Sequence, residues 1–231
     1  MPDLDSVNRA IVIAPHADDE VLGCGGLMAS LADRGCEVRV LFASLDGMTH
    51  TGHGAVSFSE RRREVEAVAS LLHFDWDVLY SDQDAVERLD VMPRRDLVSW
   101  IESHVRDSQP ELVLLPSGGD YDQDHQEVFA GSVAALRPIA PAFGGWIAPL
   151  VLAYESPKLT WSAVQPDRPN VFHDISGHLD RKLEALAAYI SQARPTPHVR
   201  SVEAVSALAE LRGKEIGVRF AEAYALLRAT L

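Results

Sequence analysis

Two stretches carry side chains that could do chemistry together. IVIAPHADDEVLGCGG, residues 11–26, passes from an apolar run into His16, Asp18, Asp19 and Glu20 and then into glycines. LLPSGGDYDQDHQEV, residues 114–128, sets Asp120, Asp122 and Asp124 around His125. Imidazole and carboxylate together suit zinc, and a catalytic zinc takes three protein ligands while leaving one position for water. His16 and Asp19 stand three apart across a strand-to-helix turn, so both can point at one centre. The third ligand must then come from the end of another strand, where His125 opens the following helix. Three competing readings exist. In a phosphate-binding loop, bare backbone N–H groups would have to stand where these acids and imidazole are, and GCGG does not match GxGxxG. A simple helix cap by Asp18 or Asp19 is physically sound, since acids favour helix N-termini, but it leaves His16 without a part. DYDQD begins like a calcium loop, yet that loop wants glycine at its sixth position and glutamate at its twelfth. Here those positions hold His125 and Gly131.

The pattern around these stretches predicts what positions them. Residues 10–15, 37–44, 76–81, 111–117 and 150–155 are short apolar runs bounded by turn residues and read as buried strands. Residues 20–34, 59–73, 89–107 and 124–136 read as helices between them. This alternation is that of an α/β fold with a mostly parallel sheet flanked by helices. In such sheets ligands bind beyond the carboxyl ends of the strands, which is where both acidic stretches fall. Further on, 171–176 reads as a sixth strand, and 178–192 and 201–229 read as helices. Residues 46–59 form a long polar segment at a strand's end, a usual place for a lid or substrate loop. Three glycines, Gly23, Gly25 and Gly26, fall inside the first helix, where each costs about 1 kcal/mol relative to alanine. Close packing of that helix on the sheet is the favoured explanation.

Bulk properties narrow the class. The chain has 231 residues, 47% of them hydrophobic, which suits one domain spanning 1–231. A net charge of −13 argues against nucleic acid or an anionic membrane as a partner. Two cysteines, Cys24 and Cys36, make no disulfide framework, and the N-terminus lacks a signal-peptide pattern. No apolar run approaches the ~20 residues that span a bilayer. The expected compartment is the cytoplasm. No P-loop, GxSxG or HExxH motif is present. His50 and His53 in the 46–59 segment are candidate substrate contacts, as are Arg61 and Arg62 of ERRREVE; the competing reading is surface histidines and a solvated helix face.

PHADDEVLGCGG resembles the AHPDDE-type signature of the PIG-L/LmbE-like zinc-dependent N-deacetylases. RRREVEAVASLL (61–72) is similar to that family's Arg-Glu helix, and DYDQDHQEV (120–128) to its second metal motif, usually HPDH or HQDH. KLEALAAYISQ (182–192) and ALAELRGKEIGVRFAEAYALLR (207–228) look like its C-terminal helices, so the resemblance covers nearly the whole chain. It implies a Rossmann-like sandwich and one zinc ion per chain on His16, Asp19 and His125. It also implies Asp18 as general base, removal of an N-acetyl group from an amino sugar or similar small molecule, and assembly of copies. Asp124 is then placed to orient a ligating imidazole, as carboxylates commonly do. Ala17 departs from the family's usual proline. Asp122 departs more seriously, because many members have there a histidine thought to stabilise the oxyanion, and an ionised carboxylate would oppose that charge. Either Asp122 turns away, or it is protonated as a catalytic group in an altered role, or another group takes over the oxyanion, with His50, His53, His173 and the helix arginines as candidates. The alternative is an inactive binding protein of the same fold.

Overall fold

Short, continuously buried runs rich in β-branched and leucine side chains set the central sheet. The computed structural model describes residues 4–45, 48–50, 54–81, 87–157 and 168–230, with backbone alone at 5, 48–50, 54 and 55. Its elements are, in order, β1 (Arg9–Ala14), α1 (Asp19–Asp33), β2 (Glu37–Ser44), β3 (Met48–His50), β4 (Gly54–Val56), α2 (Phe58–Leu72) and β5 (Phe74–Tyr80). There follow α3 (Arg94–Ser108), β6 (Leu112–Pro116), α4 (Gln123–Ala135), β7 (Leu150–Tyr154), β8 (Val171–Asp174), α5 (Leu179–Ala188), α6 (Val202–Ile216) and β9 (Ala221–Ala229). Seven strands form one sheet in the order β5-β2-β1-β6-β7-β9-β8, parallel from β5 to β7. β9 runs antiparallel to both β7 and β8. Along β1, Ala10, Val12 and Ala14 face a core shared with α1, α2 and α5, whereas Ile11 and Ile13 face one shared with α3 and α4. This two-residue alternation in a sheet covered on both faces makes a three-layer α/β sandwich.

The structure corrects three expectations. Residues 201–229 are not one helix. α6 stops where Gly217 turns left-handed at φ 77, and the N–H groups of Gly217 and Val218 return to the Gly213 carbonyl. The rest, AEAYALLRA, becomes β9 although its alanines, leucines and glutamate are good helix formers. Because β9 lies between two strands, Ala221 to Ala225 are all buried, and no polar alternation marks the strand. Within 46–59, β3 and β4 pair as an antiparallel hairpin, so part of that segment is ordered strand. Likewise the helix expected over 89–107 is a short 3-10 turn, Leu89–Val91, followed by α3.

α1 approaches its neighbours closely. A Cβ on Gly23 would lie 2.3 Å from the Tyr154 ring on β7, and one on Gly26 would lie 2.6 Å from Ile175. At Gly25 the nearest atom is Lys182 Cγ, 3.1 Å away. The packing explanation of these glycines therefore holds. Their bare backbone also lets a buried ion pair reach the helix. Glu222 of β9 accepts the N–H groups of Gly26 and Leu27, each at 2.8 Å, and the Tyr224 hydroxyl. Lys182 donates to Glu222 at 2.6 Å and to the Leu22 carbonyl at 2.9 Å. Among the described residues, no helix is long and apolar enough to cross a membrane.

Removing one member of a buried pair strands the other charge, at a cost of about 3–5 kcal/mol. Glu222→Ala should lower stability by that order in urea unfolding, and the double variant Glu222→Leu/Lys182→Met should recover most of the loss.

Candidate metal centre

β1 and β6 are parallel neighbours, with Ala10, Ile11 and Val12 in register with Leu112, Val113 and Leu114. After β1 the chain winds to one side through β2 and β5, and it returns to begin β6 on the other. Their carboxyl ends therefore flank the switch point of the sheet, where the loops part and leave a crevice. His16 and Asp19 follow β1, and His125 lies in the first turn of α4 after β6.

These three side chains converge, with ligand atoms all within 4.8 Å of one another. Asp19 Oδ2 lies 3.2 Å from His125 Nε2 and 3.6 Å from His16 Nδ1. The outer nitrogen of each imidazole meets a second carboxylate: His16 Nε2 is 2.9 Å from Asp124 Oδ2, and His125 Nδ1 is 3.0 Å from Asp120 Oδ2. With the ring protons toward those carboxylates, both inner nitrogens present lone pairs beside Asp19. Two imidazole nitrogens and a carboxylate oxygen, each imidazole oriented from behind, fit a divalent metal ion. Burial works to lower the His16 pKa, but its hydrogen bonds to Asp124 and Asp19 and the Asp19 charge prevail and raise it. Asp124 is itself fixed, because it is fully buried and accepts the N–H groups of Glu87 and Leu89 at 2.6 and 2.9 Å.

Asp18 stands beside this cluster in an unusual backbone state, with φ 115. A positive φ is costly for a residue with a side chain and persists only where neighbours enforce it. Here the Asp18 N–H donates to Glu20 Oε2 at 3.1 Å. Arg61 donates to the Ala17 carbonyl at 3.0 Å, and Arg200 donates to Asp18 Oδ2 at 3.1 Å. Burial raises the Asp18 pKa, opposed by Arg200 and reinforced by Asp19. Glu20, wholly buried beneath the turn, is pushed up to about 8 by burial, against the hydrogen bond it accepts from the Tyr189 hydroxyl.

The sequence-based candidates separate accordingly. His16, Asp19 and His125 come together, with Asp18 adjoining them and Asp124 on His16. Asp122 is the N-cap of α4, its Oδ1 accepting the Asp124 N–H at 3.0 Å. Arg61 is buried under the loop, where it holds Ala17 and Ser191. Arg62 is not brought to the cluster: one position along the helix, it turns to solvent and pairs with Glu66 at 2.9 Å. The His50 side chain and all of His53 lie outside the described residues. Three contributors escape sequence reasoning. Asp120 is one of three interchangeable-looking acids, Glu20 stands among the acids after β1 with no role assigned to it, and Arg200 sits in a segment with no motif.

An α/β sheet with a two-histidine, one-aspartate cluster at its switch point defines a candidate metal-dependent enzyme. The family model described as PIG-L, GlcNAc-PI de-N-acetylase, matches residues 11–136, and the chain belongs to this family. It is 27% identical to the uncharacterized deacetylase YaiS of Escherichia coli, over 81% of this chain and 95% of that protein. Identity is 26% to the diacetylchitobiose deacetylase of Thermococcus kodakarensis, over 94% of this chain and 82% of that one. In fold it is similar to the crystal structure of a conserved protein from Thermus thermophilus, with a TM-score of 0.74, 24% identity and coverage of 97% and 96% of the two chains.

Orienting carboxylates behind metal-bound histidines typically contribute 10–100-fold to metal affinity, and an N-cap about 1 kcal/mol to stability. Asp120→Asn and Asp124→Asn should therefore each weaken zinc binding by roughly 10–100-fold in chelator competition. Asp122→Ala should instead lower stability by about 1 kcal/mol and leave zinc affinity within about twofold.

Proposed function

We propose that the protein is a zinc-dependent hydrolase that removes an N-acetyl group from an amino sugar or a related small molecule. The observation that carries this reading is the His16–Asp19–His125 cluster, with Asp19 and His125 buried and His16 partly exposed, and the Asp18 carboxylate adjoining it. The named activity of the archaeal relative, a deacetylase of diacetylchitobiose, supports the substrate class. On this reading the chain is one domain, working in the cytoplasm with one zinc per chain.

Zinc held by His16, Asp19 and His125 would supply a Lewis acid that polarises the amide carbonyl and acidifies water. Asp18 is the proton carrier. It takes the proton from attacking water and returns it to the departing amine, as one positioned carboxylate can do for both halves of the reaction. Burial favours its protonated form, and Arg200 holds the carboxylate in place. Arg61 acts through the Ala17 carbonyl and fixes the turn that carries Asp18, so it positions rather than touches substrate. His50 remains the proposed substrate contact. Asp122 has its carboxylate on the α4 backbone, and on this reading it does not oppose a developing oxyanion.

Loss of a general acid–base group typically costs about a hundredfold to ten-thousandfold in rate. Asp18→Asn should retain zinc and lose acetate release from N-acetylglucosamine or diacetylchitobiose by that order. His125→Ala should lose zinc and activity together. Hydrolysis at the wild-type rate by Asp18→Asn would overturn the mechanism.

A further inference from the structure

A third segment reaches the metal centre from the edge of the sheet. β5 is an edge strand, with β2 between it and β1, yet the chain that follows it crosses to α4. There the Glu87 N–H donates to Asp124 Oδ2 at 2.6 Å and the Leu89 N–H to Oδ1 at 2.9 Å. Oδ2 is also the oxygen that meets His16 Nε2 at 2.9 Å. One carboxylate therefore ties this segment to an imidazole of the cluster. Asp124 is fully buried, so an oxygen released by either N–H would lose its partner inside the protein, where that loss costs most.

Two features hold the segment in place. Leu89 is buried in the core that α3 and α4 share, with Leu97, Ile101 and Val128. Gln123, the first residue of α4, donates through Nε2 to the Glu87 carbonyl and, at 3.3 Å, to Asp90 Oδ1. Glu87 is thus gripped at both ends of its backbone, its N–H by Asp124 and its carbonyl by Gln123. Its backbone is left-handed, at φ 62. That state is costly for a residue with a side chain and persists where neighbours enforce it. Glu87 itself is exposed, and its carboxylate takes no part in the grip.

We propose that Glu87 and Gln123 are positioning residues of the metal centre: they lock the segment after β5 onto Asp124, and Asp124 in turn sets the orientation of His16. The proposal rests on the zinc reading of the His16–Asp19–His125 cluster. Glu87 acts through its backbone and Gln123 through its side-chain amide, and neither is a ligand. The metal centre is then assembled from three loops, those after β1, β5 and β6, rather than from two.

The experiment pairs zinc affinity, from chelator competition, with hydrogen exchange of the Leu89 amide in the zinc-free protein. Glu87→Gly and Glu87→Val remove the same carboxylate. They differ in whether the backbone can turn left-handed, which glycine does freely and a β-branched residue resists. Glu87→Gly should hold zinc within about twofold of wild type, because an exposed charge is screened. Glu87→Val should bind zinc about fivefold to thirtyfold more weakly than Glu87→Gly, the range set by the left-handed penalty. Gln123→Ala should weaken zinc about threefold to tenfold, the scale of one hydrogen bond. In Glu87→Val and Gln123→Ala the Leu89 amide should exchange faster than in wild type by a similar factor. A segment that serves fold stability alone would lower the unfolding midpoint and leave the zinc affinity of the folded protein unchanged. Equal zinc affinity of Glu87→Gly and Glu87→Val would therefore overturn the proposal, as would a wild-type affinity in Gln123→Ala. Should the wild-type protein take up no zinc, the zinc reading falls and exchange alone judges the lock on Asp124. Faster Leu89 exchange in the two variants then keeps that lock, and unchanged exchange removes it as well.

Discussion

The position of one oxygen, Asp19 Oδ2, between two imidazole nitrogens is the constraint on which the rest depends. It lies 3.2 Å from His125 and 3.6 Å from His16, at the end of a helix whose first turn must not shift. Two parallel strands in register bring the histidines side by side across the switch point. The glycines of α1 then let that helix sit against Tyr154 and Ile175, and Lys182 and Glu222 grip its backbone from the far side. A rigid sheet alone would fix the strand ends; these contacts fix the turn between them, where half the site is carried.

The turn is itself under tension. Asp18 adopts a positive φ that no side chain favours, and it is held there by three groups: Glu20, two residues on, at its N–H and, from distant parts of the chain, Arg61 on the preceding carbonyl and Arg200 on its carboxylate. Such strain is retained where it points a group in a required direction. Here it separates two adjacent acids, so that Asp19 turns to the histidines and Asp18 turns to the arginines. Neighbouring carboxylates of one type thereby acquire different surroundings, one suited to holding a cation and the other to carrying a proton.

Much of this was legible in the sequence, and the limits have physical reasons. His16, Asp19 and His125 could be found because metal chemistry needs those residue types and α/β folds need them at strand ends. The β-α alternation could be found because five strands are short apolar runs. β9 could not, because a strand buried on both faces by alanines shows neither alternation nor β-branched residues. Residue type alone makes Asp122 a threat to an oxyanion, whereas its place at the α4 N-terminus gives its carboxylate a backbone N–H to hold, a direction that spacing does not encode. Asp120 and Asp124 differ from it only in that direction. Arg61 and Arg62, adjacent in sequence, part by one helical step into the interior and the solvent. Arg200 reaches Asp18 across 182 positions with nothing local to announce it.

The central claim is the proposal that His16, Asp19 and His125 hold a zinc ion. X-ray absorption spectroscopy of the zinc-loaded protein tests it most directly. The result expected is a first shell of nitrogen and oxygen with the scattering of two imidazoles, reduced to one in His125→Ala where zinc can still be loaded at high concentration. Sulfur in that shell, from Cys24 or Cys36, or a shell with no imidazole, would contradict it.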